Sequence, residues 1–285
     1  MSVNIVSVDV EDYFHVEAFS DIVDRKQWDS YTCRVENNTR KILDLFDGCG
    51  TKGTFFVLGW VAERYPHLVR EIVERGHELA CHSYWHYPIF KLSPEEFRQD
   101  TARAKDVIEQ AGGAAVYGYR APSFSVTKKS LWALDILAEL GFTYDSSVFP
   151  IHHDFYGIPD APRQPFRVKT PSGELTEYPM STFRLWGPNY PVGGGGYLRM
   201  LPYWYTQYGF RKIQSENTPL IVYIHPWEVD PEQPVMQARW KSRLRHYTNL
   251  RKTAGRLEKL LRSAPFAGFA NCDFTATTPL SLLAS

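Results

Sequence analysis

GTFFVLGWVAERYPHLVREIVERGHELACHSYWH, residues 53–86, decides the fold. Gly53 to Leu58 is a continuous β-prone run, the pattern of a strand buried on both faces of a parallel sheet. Trp60, Val61, Tyr65, Leu68, Val69, Ile72 and Val73 then recur at helical spacing, and Gly76 suits the left-handed residue that ends a helix. His77 to Cys81 is the next short strand. Strand, crossover helix and strand make a βαβ unit, whose two strands lie parallel.

Working outward, the unit repeats. Val3 to Val8 reads as a strand before it, and Thr39 to Phe46 as the intervening helix, closed by Gly48 and Gly50. After it, Ser93-Pro94-Glu95-Glu96 is a helix start, with Ser as N-cap, Pro at the first helical position and Glu at the third. That helix runs to Gly112-Gly113. Val116 to Tyr119 is the next strand, Lys128 to Leu140 a helix, and Phe142 to Tyr144 a strand. From Ser146 to about Gly196 the alternation gives way to a Pro- and Gly-rich insertion. A helix over Leu198 to Ile213 and a strand over Leu220 to Ile224 restore it, and Ala238 to Leu261 reads as one long basic amphipathic helix. A strand near Phe266 to Asn271 ends the series. The predicted fold is α/β, a distorted (β/α) barrel with a Pro/Gly-rich insertion and a C-terminal helical extension. One domain is expected over residues 1–285, with a core of about 3–230 and an extension of about 230–285.

Lys plus Arg and Asp plus Glu are both 32, so the formal net charge is zero. Such a balance argues against nucleic acid as a partner, which requires a basic surface. Hydrophobic residues at 44% suffice for a large core, and aromatics at 15% suggest some rings free to stack on a sugar. Cys33, Cys49, Cys81 and Cys272 are too scattered for a disulfide scaffold. No signal-peptide pattern opens the chain, and no run of about 18 apolar residues exists, so no transmembrane segment is expected and the expected location is cytoplasmic, with the inner membrane face as the alternative.

In parallel α/β folds the chemistry gathers where strands end. The first strand ends in Asp9-Val10-Glu11-Asp12, acids that repel one another unless a cation or proton intervenes. Residues 77–81 lead into His82-Ser83-Tyr84-Trp85-His86, a spacing that brings two imidazoles together on a helical turn or in a tight loop. The next strand ends in Arg120-Ala121-Pro122-Ser123, the next in Asp145-Ser146-Ser147, and Leu220 to Ile224 in His225-Pro226-Trp227-Glu228. Each alone is ordinary; their joint placement at strand ends is not.

These segments, in this order, resemble the polysaccharide deacetylase family, also called the NodB-homology domain or carbohydrate esterase family 4. The His82–His86 motif matches fully, Arg120-Ala121-Pro122 matches the third motif, and the apolar strand ending in His225 matches the last. The resemblance covers roughly residues 3–230. DVEDYF, YRAPSFS, YDSSVFP and the VYIHPWEVDP-to-RHYTNL tail look closest to the exosortase-associated deacetylases of exopolysaccharide gene clusters. Two departures stand out. The family's adjacent Asp pair is replaced by Asp9-Val10-Glu11-Asp12, so the metal carboxylate is Glu11 or Asp12. The fourth motif is only partly kept, at Asp145.

The resemblance implies a divalent metal, usually Zn2+ with Co2+, Ni2+ or Mn2+ as alternatives, held by one carboxylate and by His82 and His86. It implies Asp9 as catalytic base, Arg120 orienting it, His225 as the acid that protonates the departing amine, and the Ser123 N–H near the oxyanion. Pro122, Ser123, Asp145 and Trp227 are the expected substrate-binding residues, with Trp85, Phe124, Trp186 and Tyr190 as further candidate rings. The implied substrate is an N-acetylated oligo- or polysaccharide or its precursor, deacetylated with release of acetate. Two rivals are an amidase of small cyclic imides and a non-catalytic glycan-binding protein.

Overall fold

The computed structural model describes residues 3–153, 156–272 and 277–280. Its strands are β1 (Asn4–Val10), β2 (Thr54–Val57), β3 (Glu78–Cys81), β4 (Gly118–Tyr119), β5 (Tyr144–Asp145), β6 (Phe166–Thr170), β7 (Gly173–Glu177), β8 (Thr182–Arg184), β9 (Asn189–Pro191), β10 (Ile221–Ile224), β11 (Phe266–Ala267) and β12 (Thr277–Leu280). Its helices are α1 (Val35–Gly48), α2 (Gly59–Arg64), α3 (Pro66–Glu74), α4 (Pro94–Gly112), α5 (Trp132–Glu139), α6 (Gly195–Met200), α7 (Tyr203–Ser215), α8 (Trp240–Tyr247) and α9 (Leu250–Leu261). The main sheet runs β10-β1-β2-β3-β4-β5-β7-β6-β12, with β11 beside the start of β1. From β10 through β5 all pairings are parallel. The fold is thus the expected α/β type, though the strand path does not close into a barrel among the described residues.

Strand residues alternate between two layers, as the pleat requires. Val6, Val8, Phe55, Val57, Val222 and Ile224 face the helices, and Ile5, Phe56, Ala80, Ile221 and Tyr223 face an aromatic layer with Phe124, Phe149, Tyr178 and Phe269. Register places Val8 beside both Phe55 and Ile224, and Tyr119 beside both Cys81 and Asp145. The carboxyl ends of β1, β3, β4, β5 and β10 therefore share one edge of the sheet. No helix among the described residues is long and apolar enough to cross a membrane.

Several elements differ from expectation. The 60–73 helix is two, because Pro66 cannot donate to the preceding turn and instead opens α3. Leu198 to Ile213 likewise divides at Pro202. The long basic helix divides into α8 and α9 at Thr248–Asn249, where Asn249 takes φ 58°. The 146–196 insertion is not merely irregular: β6 and β7 pair antiparallel and extend the main sheet, and β8 and β9 form a separate hairpin. Ser93 caps α4 as read, with Glu96 completing the reciprocal box and Gly113 left-handed at the far end.

Candidate active site

The aromatic layer contains one cation. Ser7 and Asp9 follow Ile5 on the same face of β1, and Arg120 Nη1 donates to Asp9 Oδ1 at 2.6 Å and to Ser7 Oγ at 2.8 Å. Its other nitrogens donate to the Ser146 carbonyl and hydroxyl, both at 3.1 Å. The guanidinium carbon lies 4.1 Å from the Phe56 ring centroid. A fully buried Arg is tolerable only when paired and hydrogen-bonded this completely.

Beyond Asp9 the chain turns and brings Glu11 to the histidine loop. Donor atoms of Glu11, His82 and His86 all lie within 4.8 Å of one another, and all three residues are buried. The two imidazoles converge in a tight loop rather than on a helix. Ser83 and His86 adopt positive φ, 62° and 55°. The surroundings hold that costly backbone. Ser83 Oγ accepts from the His86 amide, the Asp100 carboxylate accepts from the Tyr84 and Trp85 amides, and Arg25 donates to the Trp85 and His86 carbonyls. His82 Nδ1 donates to the Arg120 carbonyl at 2.8 Å, which leaves its lone pair on Nε2. Burial pushes His82 down to about 4, so it stays neutral.

This set fits a divalent cation. Glu11 Oε2 is buried and accepts no hydrogen bond among the described residues, although His86 Nε2 lies 2.8 Å away. Burial would raise the Glu11 carboxyl, but His86 and His225 outweigh it and hold it well below the usual carboxylate range. Two imidazoles and one carboxylate are a donor set suited to catalytic zinc and its neighbours.

His225 completes the site from β10. Its Nε2 lies 3.5 Å from Glu11 Oε1 and 3.9 Å from Asp9 Oδ2. Its Nδ1 is 2.7 Å from Glu228 Oε1; a carboxylate only accepts, so Nδ1 donates and Nε2 is presented to the site. Glu228 in turn receives buried Arg199 Nε at 2.5 Å. Burial opposes the charge on His225, yet Glu11, Glu228 and Asp9 push its pKa up to about 9. Burial also opposes the charge on Glu228, but Arg199 and His225 hold it at about 2.

Other expected residues stand differently. Asp12 is outside the cluster: its carboxylate accepts from the Tyr13, Arg34 and Val35 amides at 2.8, 2.5 and 2.8 Å and so caps α1. Of the two alternatives, the geometry leaves Glu11. Trp227 has no free face for a sugar. Its ring stacks between those of His225 (5.1 Å) and His246 (4.0 Å), and its Nε1 donates to Glu11 Oε1 at 3.2 Å. Asp145 does not reach the mouth either. It accepts from Ser147 Oγ at 2.5 Å and faces Glu177, where burial and mutual repulsion push the Glu177 carboxyl well up. Pro122 and Ser123 form a short turn after Arg120, with Ser123 and Phe124 both left-handed at φ 55° and 51°. Sequence reasoning quoted Glu228 and Ser146 at strand ends without giving them a role, and missed Arg199, Ser7, Asp100 and Arg25. Glu228, three residues after His225, and Ser146, directly after Asp145, offered a local signal; the other four did not.

With this geometry in view, the comparisons are specific. The polysaccharide deacetylase family model matches residues 27–144. That stretch is similar to a polysaccharide deacetylase domain. The model of a domain of unknown function, DUF3473, matches residues 146–273. The deacetylase match thus holds His82, His86 and Arg120, the second match holds Arg199, His225 and Glu228, and Asp9 and Glu11 precede both. A peptidoglycan-N-acetylglucosamine deacetylase from Bacillus cereus is 32% identical over 98 residues, 34% of this chain and 36% of that protein. A chitooligosaccharide deacetylase from Bradyrhizobium sp. (strain ANU 289) is 31% identical over 100 residues, 35% of this chain and 43% of that protein. The chain therefore spans less than half the length of either relative. A solved structure from Mycobacterium smegmatis, described provisionally as a polysaccharide deacetylase, superposes with a TM-score of 0.60 at 18% identity, covering 94% of this chain and 88% of that one. That likeness establishes the polysaccharide deacetylase fold.

Proposed function

We propose that the chain is a metal-dependent hydrolase that removes N-acetyl groups from N-acetylhexosamine units of a bacterial polysaccharide or its precursor. The observation that carries this reading is the Glu11–His82–His86 cluster flanked by Asp9–Arg120 on one side and His225–Glu228 on the other. Glu11, His82 and His86 hold the cation, most simply Zn2+, which when bound supplies Lewis acidity toward water and an amide carbonyl. Asp9, oriented by Arg120 and Ser7, accepts the proton of the attacking water. His225, its Nδ1 committed to Glu228, directs Nε2 at the departing nitrogen and delivers a proton to it, without which an amine is a poor leaving group. The carbonyl carbon gains the water oxygen, the C–N bond breaks, and acetate and a free amino sugar leave. Once Glu11 is committed to a cation, Glu228 and Asp9 are the carboxylates that continue to favour protonated His225. The oxyanion donor on this strained turn is the Ser123 N–H, because the Ala121 N–H is committed to Ser147 Oγ at 2.7 Å and Pro122 has none.

A groove of about 410 Å³ lined by Ser20, Asp21, Val23, Arg25, Gln27 and Tyr87 adjoins the loop that carries His86 and supplies polar side chains for neighbouring sugar hydroxyls. The testing experiment measures acetate released from defined N-acetylglucosamine oligomers by the protein as purified, after chelation, and after Zn2+ is restored. Release that chelation abolishes and Zn2+ restores supports the reading. Saturable glycan binding with no acetate under any metal would leave only a binding protein, and ring opening of small imides would reassign the substrate.

A further inference from the structure

We propose that the exposed face of α8 docks on an anionic lipid bilayer. Helix α8 has two contrasting sides. Its inner side carries buried His246, the outermost ring of the stack that runs through Trp227 to His225. Leu244 lies about 200° around the helix from His246, and Trp240 is its neighbour one turn earlier. Trp240 is 69% exposed and Leu244 56%, with Val235, five residues before the helix, also 56% exposed. Around them stand Arg239, Lys241, Arg243 and Arg245, and no acid occurs anywhere between Gln233 and Leu257. Arg239 pairs with Asp21 at 3.3 Å, which ties this face to the groove beside Tyr87. Among the described residues, Lys241, Arg243 and Arg245 have no carboxylate at ion-pair distance.

In a chain of zero net charge this is a local concentration of cations around an exposed Trp and Leu. Trp partitions into the headgroup region, Leu inserts just below it, and long basic stems reach back to anionic headgroups. A second copy of the chain is a poor occupant, because two such faces would oppose like charges. An eight-residue helix is too short to span a bilayer, so the contact is interfacial. The docking is independent of the hydrolysis proposed above, so either reading can fail alone. The test is flotation of the full chain with phosphatidylcholine vesicles and with vesicles containing one quarter phosphatidylglycerol, at low and high salt. Binding to the anionic vesicles alone, weakened by salt, is expected. Lys241→Glu with Arg243→Glu should lower partitioning at least about 25-fold, since each cation near such a surface contributes roughly fivefold. Trp240→Ser with Leu244→Ser should also lower it, with the unfolding midpoint unchanged. Failure to float, or flotation indifferent to both double variants, overturns the proposal. So does a lipid-free dimer that the Trp240/Leu244 variant dissolves, or an anionic polysaccharide that binds this face while vesicles do not.

Discussion

Glu11 and Asp12 are adjacent acids that the fold sends to different tasks. Glu11→Gln should abolish metal binding and acetate release together. Asp12→Asn should keep the metal, measured by elemental analysis, and Asp12→Ala should lower stability by about 1 kcal/mol, the usual worth of a lost helix cap. Metal retained by Glu11→Gln but lost by Asp12→Asn would reverse the assignment. Glu228 acts through His225. Glu228→Gln should leave metal content intact and lower kcat by about 10- to 100-fold, the range for an outer-shell partner, with KM little changed. An unchanged kcat would mean that Nδ1 finds its acceptor elsewhere. These cases also show what was legible. His82 and His86 are four residues apart, so local spacing exposes them. The choice between Glu11 and Asp12 depends on amides of Arg34 and Val35, which only the folded chain brings to Asp12. Trp227 looked like a sugar platform because sequence cannot show that His246, far along the chain, covers its other face.

At the scale of elements, strands and helix starts were readable where short-range signals set them. The Ser93 box and the β2–β3 alternation are examples. Breaks were misread where one residue overrides a continuing hydrophobic pattern, as Pro66, Pro202 and Asn249 do. The Pro- and Gly-rich insertion ends in four glycines, Gly193 to Gly196, and the fold supplies the reason for three of them. A Cβ on Gly193 would meet the Ile221 carbonyl at 2.0 Å, on Gly194 the Tyr223 hydroxyl at 2.5 Å, and on Gly195 Glu228 Oε1 at 2.0 Å. Nothing lies within 4 Å of one on Gly196. The start of α6 is therefore pressed against β10 and the acid that steers His225. Gly195→Ala should displace Glu228 and lower kcat at least as far as Glu228→Gln, whereas Gly196→Ala should leave turnover unchanged. Equal activity of the two variants would show that Glu228 relaxes without consequence.

The whole molecule carries buried neutral histidines outside the proposed cation cluster: His246 backs onto it through Trp227, and His77 lies just before the start of β3. Burial pushes His77 down to about 4 and His246 to about 3. Below about 6.5 the unfolded chain binds protons that the folded chain refuses, so stability falls as pH falls, by up to about 1.4 kcal/mol per pH unit for each. In urea titrations His77→Asn should lose about 2 kcal/mol less than the parent chain between pH 7 and pH 5; identical losses would remove His77 from the account. The same scale bears on how the two family matches relate. Their boundary near residue 145 cuts through one sheet: β1 lies between β2, from the first match, and β10, from the second. The proposed base and cation ligands lie on one side of that boundary and the proposed acid with its Glu228–Arg199 support on the other, while one hydrophobic cluster includes Val8, Phe55, Val222 and Leu257. We propose that both segments fold as a single cooperative unit. Urea unfolding of the full chain should then give one transition with coincident midpoints by far-UV circular dichroism and tryptophan fluorescence, and a chain ending at residue 145 should show no cooperative transition. Two separated transitions, or a stable fragment at that boundary after limited proteolysis, would mean that β1 keeps its folded core without β10 beside it.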